Sequence, residues 1–362
     1  MKDEIVVIRF GRMGDFLVSL PAILHLRESN PESKITLITG VVRKAVYKTR
    51  VASYSDSIQF PWVDIFNKKL FDAVVYINGL GSIHSLSNLI SVIAGRRVKA
   101  VYYFCYYNED PFRLLLKRIF LNVFSFGKLQ QKTQTVPSGV GKKSSLQAWQ
   151  CLENVGYNGD INKLISALAL TLKSGSVNKN SGDCIARIQC QNRKIICVYP
   201  SSTFEHKRWP AENFSEVVRW LVDCGYYVVL IGHHGEYDIN QKVLELSRSE
   251  NILNLAGKTT FCELVELMQG VLMLIGNDGG LMHLAAMMNV PSITIMSGVF
   301  HDRIWDPFGN HSVVVRYEVE CSNCLNEFYC PNNTSQCVSS ISVDVVKDNF
   351  KKLILTFKNE QN

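Results

Sequence analysis

The 362-residue sequence predicts an α/β protein built from two doubly wound parallel sheets, and three observations carry that expectation. Short β-branched apolar runs recur along the chain, each followed by a glycine- or hydroxyl-bearing loop and then a segment of helical length. The series stops at a polar stretch near the middle and starts again. At roughly 150 residues per domain the length accommodates two cores.

In the first half, Ile5–Phe10 (IVVIRF) reads as a buried strand that runs through Gly11 and Gly14 into a helix at Pro21–Leu26. Further strands are expected at Lys34–Ile38, Ala73–Ile77 and Ala100–Phe104. Pro111–Phe126 has apolar residues at Phe112, Leu115, Leu116, Ile119, Phe120 and Val123, with Arg113, Lys117 and Arg118 on the same helix. A basic amphipathic helix of this kind either lies on an anionic membrane or covers a sheet, and the sheet-covering reading is preferred. Leu172–Asp183 (LKSGSVNKNSGD) is polar, lacks periodicity and reads as a linker. Beyond it, strands are expected at Ile195–Tyr199, Tyr227–Ile231, Leu272–Ile275 and Ser292–Met296, with a closing helix over Asp344–Phe357. The expected organisation is a domain over 1–172, a second over 184–342 and the closing helix over 343–362, with a ligand cleft between the two α/β halves.

Composition excludes several classes. With 47% hydrophobic and 20% charged residues the chain is neither disordered nor a disulfide miniprotein. No run approaches 18 apolar residues, so a membrane-spanning helix is not expected. The opening MKDEIVVIRF carries acids and leads into a strand, unlike a secretory signal. Eleven cysteines then read as reduced thiols of a cytoplasmic protein. The net charge of +7 divides into +12 over residues 1–180 and −5 over 181–362. A basic first half suits either an anionic partner or a solubilising surface. No RNP, zinc-finger or helix-turn-helix signature supports nucleic acid.

Four constellations carry chemistry. Gly11–Arg12–Met13–Gly14–Asp15 follows the first strand with G-x-x-G spacing, not the G-x-G-x-x-G of a dinucleotide site. Asp15 there is either a helix cap or a general base. Ser201–Pro210 (SSTFEHKRWP) places hydroxyls and Lys207 in a strand-to-helix loop suited to phosphate. Gly276–Ala286 (GNDGGLMHLAA) offers paired glycines, an acid and His283 at a helix start, an arrangement hard to motivate by packing alone. Cys321, Cys324, Cys330 and Cys337 have C-x2-C-x5-C-x6-C spacing, which permits a four-thiolate metal site. The usual zinc ribbon has two C-x2-C pairs and this has one, so paired or free thiols in a structured loop are preferred.

Together these motifs resemble the family-9 glycosyltransferases, the ADP-heptose:lipopolysaccharide heptosyltransferases. IVVIRFGRMGDFLVSLPAI is similar to the family's opening strand and loop, VYPSSTFEHKRWPAENF to its lysine–tryptophan–proline loop, LNLAGKTTFCELVELM to its L-A-G-K-T segment, and IGNDGGLMHLAA to its G-N-D-(S/T)-G-x-x-H helix start. The resemblance implies a GT-B fold, two Rossmann-like domains facing an interdomain cleft, acceptor on the N-terminal half and nucleotide-sugar on the C-terminal half. It implies Asp15 as catalytic base, and Ser202, Thr203 and Lys207 as donor-phosphate contacts. It further implies Glu236 and Thr259 near the nucleoside, Asp278 on the sugar, and Gly279, Gly280, Leu281 and His283 at the diphosphate. No D-x-D metal motif stands at a matching place, so no cofactor and no metal is expected, with Lys207 and the helix start in its role.

The implied reaction is inverting transfer of heptose, or a related sugar, from ADP-heptose to a lipopolysaccharide core. Such an enzyme would be cytoplasmic, with peripheral contact to the inner membrane, and the basic half would grip phosphates or Kdo carboxylates. The chain departs from the family pattern at Tyr199–Pro200–Ser201 (often His–Pro–Gly), at Gly279 (usually Ser or Thr) and at Met296–Ser297–Gly298 (commonly F-G-P). Alternatives are a transferase with another nucleotide-sugar acting on outer core or O-antigen, a UDP-sugar 2-epimerase, a non-catalytic nucleotide-binding scaffold and, last, a nicotinamide dehydrogenase.

Overall fold

The computed structural model describes residues 3–9, 12–40, 69–77, 98–104, 122, 128–130, 146–173, 194–300, 304–309 and 311–361. Apart from Asn122, the amphipathic segment 111–126 lies outside the described residues, as does Gly11. The chain divides into two compact units, Met1–Thr171 and Leu172–Asn362.

The first unit holds strands β1 (Glu4–Ile8), β2 (Lys34–Gly40), β3 (Ala73–Ile77), β4 (Val98–Tyr103) and β5 (Leu129–Gln130), in the order β3-β2-β1-β4-β5. Every described pairing is parallel, with Val6 opposite both Thr36 and Val101. All five residues of β1 are buried, which explains why Ile5–Ile8 is a continuous apolar run instead of an alternating one. Helices α1 (Met13–Leu17) and α2 (Leu20–Ser29) follow β1. Later come α3 (Leu146–Asn154) and α4 (Ile161–Lys173). Leu172 is fully buried on α4, so the expected linker starts two residues too early: its first two residues complete a helix. Residues 174–183 of that linker lie outside the described residues.

The second unit holds β6 (Ile195–Tyr199), β7 (Tyr227–Leu230), β8 (Ile252–Asn254), β9 (Val271–Asn277), β10 (Ser292–Ile295) and β11 (Ser312–Val315), in the order β11-β10-β9-β6-β7-β8 and all parallel. Its helices are α5 (Ala211–Asp223), α6 (Tyr237–Ser247), α7 (Phe261–Gln269), α8 (Gly280–Met287), α9 (Gln336–Ser339) and α10 (Val343–Gln361). The chain winds outward from β6 through β7 to β8, then returns to β9 and winds the other way. That reversal puts a topological switch point between the carboxyl ends of β6 and β9, where α/β sheets bind ligands. The core packs α5 and α10 against the sheet, with Trp220 and Tyr226 edge-on to Phe350 at 5.3 and 5.4 Å. The closing helix is therefore part of this unit's core. Among the described residues no helix is long and apolar enough to cross a membrane.

Candidate functional site

Within the second unit, every strand-to-helix loop named by the motifs lies at the carboxyl end of its strand. The loop after β6 carries Ser201 to Lys207, and the loop after β9 carries Asp278 to Gly280. Asn277, fully buried at the end of β9, ties them together. Its side-chain amide donates to Pro200 O at 2.7 Å, and its Oδ1 accepts the Trp209 N–H at 3.0 Å. The Ser202 hydroxyl adds a third tie by donating to Asp278 O at 3.2 Å. Trp209, 1% exposed, anchors the far end of the loop: its indole N–H donates to Ile341 O at 2.8 Å and its ring meets Phe214 edge-on.

These ties fix what the loop presents. Lys207 ends a single 3-10 turn, Glu205–Lys207, and is buried to 4% exposure. Its ammonium sits 4.7 Å from the Phe300 ring centroid and 5.6 Å from that of Phe204, with Glu327 Oε1 at 3.9 Å. An ammonium stripped of water and faced by aromatic rings has lost most of its hydration, so a further anion would be strongly favoured beside it. The Ser201 hydroxyl is buried without a hydrogen-bond partner, while Thr203 is exposed.

Gly279 caps α8 in an extended conformation, and Gly280 and Leu281 open the helix. Their N–H groups occupy positions that have no intrahelical acceptor, and the helix dipole adds positive potential there. His283 lies one turn in, 3% exposed, with its Nδ1 unpartnered. Burial pushes its pKa down to about 4, partly opposed by the Asp306 charge, so at neutral pH it is an uncharged imidazole. It can therefore hydrogen-bond an anion but supplies no charge in the ligand-free state.

Glu236 lies just after β7, in the turn His234–Glu236, and is buried. Its Oε2 accepts the His233 N–H and its Oε1 the Tyr199 hydroxyl, both at 2.9 Å. Thr259 is half-buried in the loop after β8, next to Thr260, the N-cap of α7. Gly257 in the same loop has φ +70°, and a Cβ there would stand 2.6 Å from His234 Cα, so glycine is what lets these two loops touch.

In the first unit, Asp15 is the third residue of α1. Its Oδ2 accepts the Arg12 N–H at 2.6 Å, which is a capping bond, and its Oδ1 lies 4.0 Å from the buried Arg9 guanidinium. Arg9 also donates to Asp15 O and Phe104 O, both at 2.8 Å, lashing α1 to the ends of β1 and β4. The cap and the chemical reading thus fall on one carboxylate, 14% exposed.

The cysteine segment folds onto the Lys207 loop. Glu327 reaches Lys207, and Phe328 meets Phe204 edge-on at 5.6 Å. Cys321, Cys324, Cys330 and Cys337 are free thiols. Burial raises the Cys337 pKa and the other three thiols add to it. Cys330 is lowered: burial, the largest single effect, raises it, but the N–H groups of Ser335, Thr334, Asn332 and Asn333 together outweigh burial and favour its thiolate. Among the described residues no three His, Cys, Asp or Glu side chains are placed to hold a metal ion. Glu327, Phe300 and Asn277 were not singled out from the sequence, because contacts made across 50 or more residues leave no local pattern.

Two parallel α/β units, the second with a cation and a helix start at its switch point, define a protein of the GT-B class. The structure of Escherichia coli ADP-heptose LPS heptosyltransferase II matches it with a TM-score of 0.64 over 99% of this chain and all of that one, at 18% identity, which speaks to the fold. The chain belongs to glycosyltransferase family 9 (heptosyltransferase), whose family model matches residues 153–332. Lipopolysaccharide heptosyltransferase 2 of E. coli K12 is 34% identical over 107 residues, 28% of this chain and 31% of that protein. Lipopolysaccharide heptosyltransferase 3 of the same strain is 23% identical over 307 residues, 82% of each chain. The chain thus spans about a third of the length of the former relative and most of the latter.

Proposed function

We propose that this protein is an inverting glycosyltransferase that moves heptose, or a related sugar, from ADP-heptose to a lipopolysaccharide core acceptor. The second unit binds the nucleotide-sugar and the first unit the acceptor, at the cytoplasmic face of the inner membrane. The observation that carries the reading is the buried Lys207 ammonium in the loop that Asn277 ties to the start of α8. A fixed cation and unpaired helix N–H groups stabilise the negative charge that develops on a departing nucleoside diphosphate. Ser202 and Thr203 contribute hydroxyls on the same loop, Asp278 faces the sugar, Glu236 and Thr259 flank the nucleoside, and neutral His283 donates to phosphate.

The reaction follows from these roles. Asp15 takes the proton of an acceptor hydroxyl as its oxygen attacks the anomeric carbon. The bond from that carbon to the diphosphate oxygen breaks with inversion, and the electron pair leaves on ADP, where Lys207 and the amides of Gly280 and Leu281 receive the charge.

A thermal-shift series with ADP, UDP, GDP, CMP and NAD, on wild type and Lys207→Ala, tests the reading. Selective stabilisation of the wild type by ADP, with transfer by Lys207→Ala slowed by about 2–4 kcal/mol of activation free energy, is the expected result. A selective UDP or GDP shift keeps the transferase and replaces the donor; an ADP shift without any transfer moves the reading to a nucleotide-binding scaffold, and the absence of any shift overturns the donor site.

A further inference from the structure

Tyr199 ends β6 and is nearly enclosed, at 6% exposure. Its hydroxyl donates to Glu236 Oε1 at 2.9 Å, and Glu236 is in turn held by the His233 N–H at its other oxygen. The ring lies against the cap of α8. A Cβ on Gly279 would stand 2.8 Å from Tyr199 Cε1 and 3.3 Å from its hydroxyl oxygen. Glycine at 279 is therefore required by this ring, since its extended backbone would suit any residue. The phenol oxygen is thus a polar atom beside the residue that caps α8.

The electrostatics decide what it contacts. Burial first, then Glu236 and Asp278, hold the phenol protonated well above its usual range, with Arg208 offsetting part of the effect. Two carboxylates acting on one phenol disfavour a phosphate at that spot. Its proton is committed to Glu236, so the oxygen offers a lone pair, and the complement of a lone pair is a neutral hydroxyl.

We propose that Tyr199 is a specificity-determining residue of the donor site, its hydroxyl, which stands beside Gly279 at the cap of α8, accepting a hydrogen bond from a sugar hydroxyl of the nucleotide-sugar. The inference rests on the donor-site reading above and gives Glu236 a positioning role, acting through Tyr199.

Calorimetry with ADP and with ADP-heptose, together with transfer kinetics, tests it on the full chain. Tyr199→Phe keeps the ring and should weaken ADP-heptose binding by about 5- to 10-fold, the value of one lost hydrogen bond, raising KM with a far smaller change in kcat. An equal loss for ADP places the contacted hydroxyl on the ribose; a loss for ADP-heptose alone places it on the transferred sugar. Unchanged affinity for both ligands overturns the proposal. Gly279→Ser supplies an independent arm. It should weaken binding through the clash, and Tyr199→Ala in the same chain should recover part of the loss as the serine hydroxyl enters the vacated space. Simply additive losses overturn the steric half of the argument. If wild type binds neither ligand, the donor-site reading itself has failed and this contact falls with it.

Discussion

Asp15 caps its helix and is proposed as the catalytic base, two duties that a substitution can separate. Its Oδ2 accepts the Arg12 N–H, which asparagine can still do through its amide oxygen. Asparagine cannot accept a proton, so Asp15→Asn should hold the melting temperature and nucleotide affinity while transfer falls by roughly 10²–10⁴-fold. Transfer within a few-fold of wild type would leave Asp15 as a cap alone. His283 makes a second residue-scale prediction. Its pKa is about 4 in the folded protein and near 6.5 when exposed, so between those values the unfolded chain binds more protons. Stability is then full above pH 6.5 and is lost as pH falls toward 4, by up to about 3 kcal/mol from this group. Urea unfolding at pH 7 and pH 4.5 should show a smaller loss for His283→Gln than for wild type; equal losses would remove His283 as the cause.

At the scale of elements, the candidate site is a set of strand-to-helix loops held in register by buried polar ties. Asn277→Ala leaves the Trp209 N–H and the Pro200 carbonyl without their partner inside the unit. Unfolding free energy should drop by about 2–4 kcal/mol, and nucleotide affinity should fall with it because Lys207 and Gly280 lose their fixed spacing. A stability change under about 0.5 kcal/mol would show that water or neighbouring groups replace the amide. The strands themselves were legible because fully buried strands leave continuous apolar runs, as in IICVY of β6. Strands β5, β8 and β11 escaped: runs of two to four residues without strong punctuation leave little period to read. The site loops were legible as motifs of residue type, yet nothing local in them marks Asn277 as the tie.

At the scale of the whole molecule, charge is the property to test. The first 180 residues carry +12 and the rest −5, which suits an acceptor bearing phosphates and carboxylates on the first half. If long-range attraction gathers that acceptor, its KM should rise steeply between low salt and about 0.5 M, where screening shortens to a few ångströms, while ADP affinity changes less. A KM flat across that range would make the basic half a solubilising surface.

By itself the sequence determined that the chain is α/β and which loops carry hydroxyls, glycines, acids and a lysine. Those features are local: they depend on apolar periodicity and on residue types at strand ends, both readable from neighbours in the chain. Only the tertiary structure decided that Lys207 is buried between Phe204 and Phe300, that His283 is held uncharged, and that Asp15 caps its own helix while keeping a carboxylate oxygen near Arg9. It also decided that Tyr199 fills the space beside Gly279 on a hydrogen bond to Glu236. Desolvation and close packing depend on which distant residues come to lie against a group, and that information is absent from any window of sequence around it.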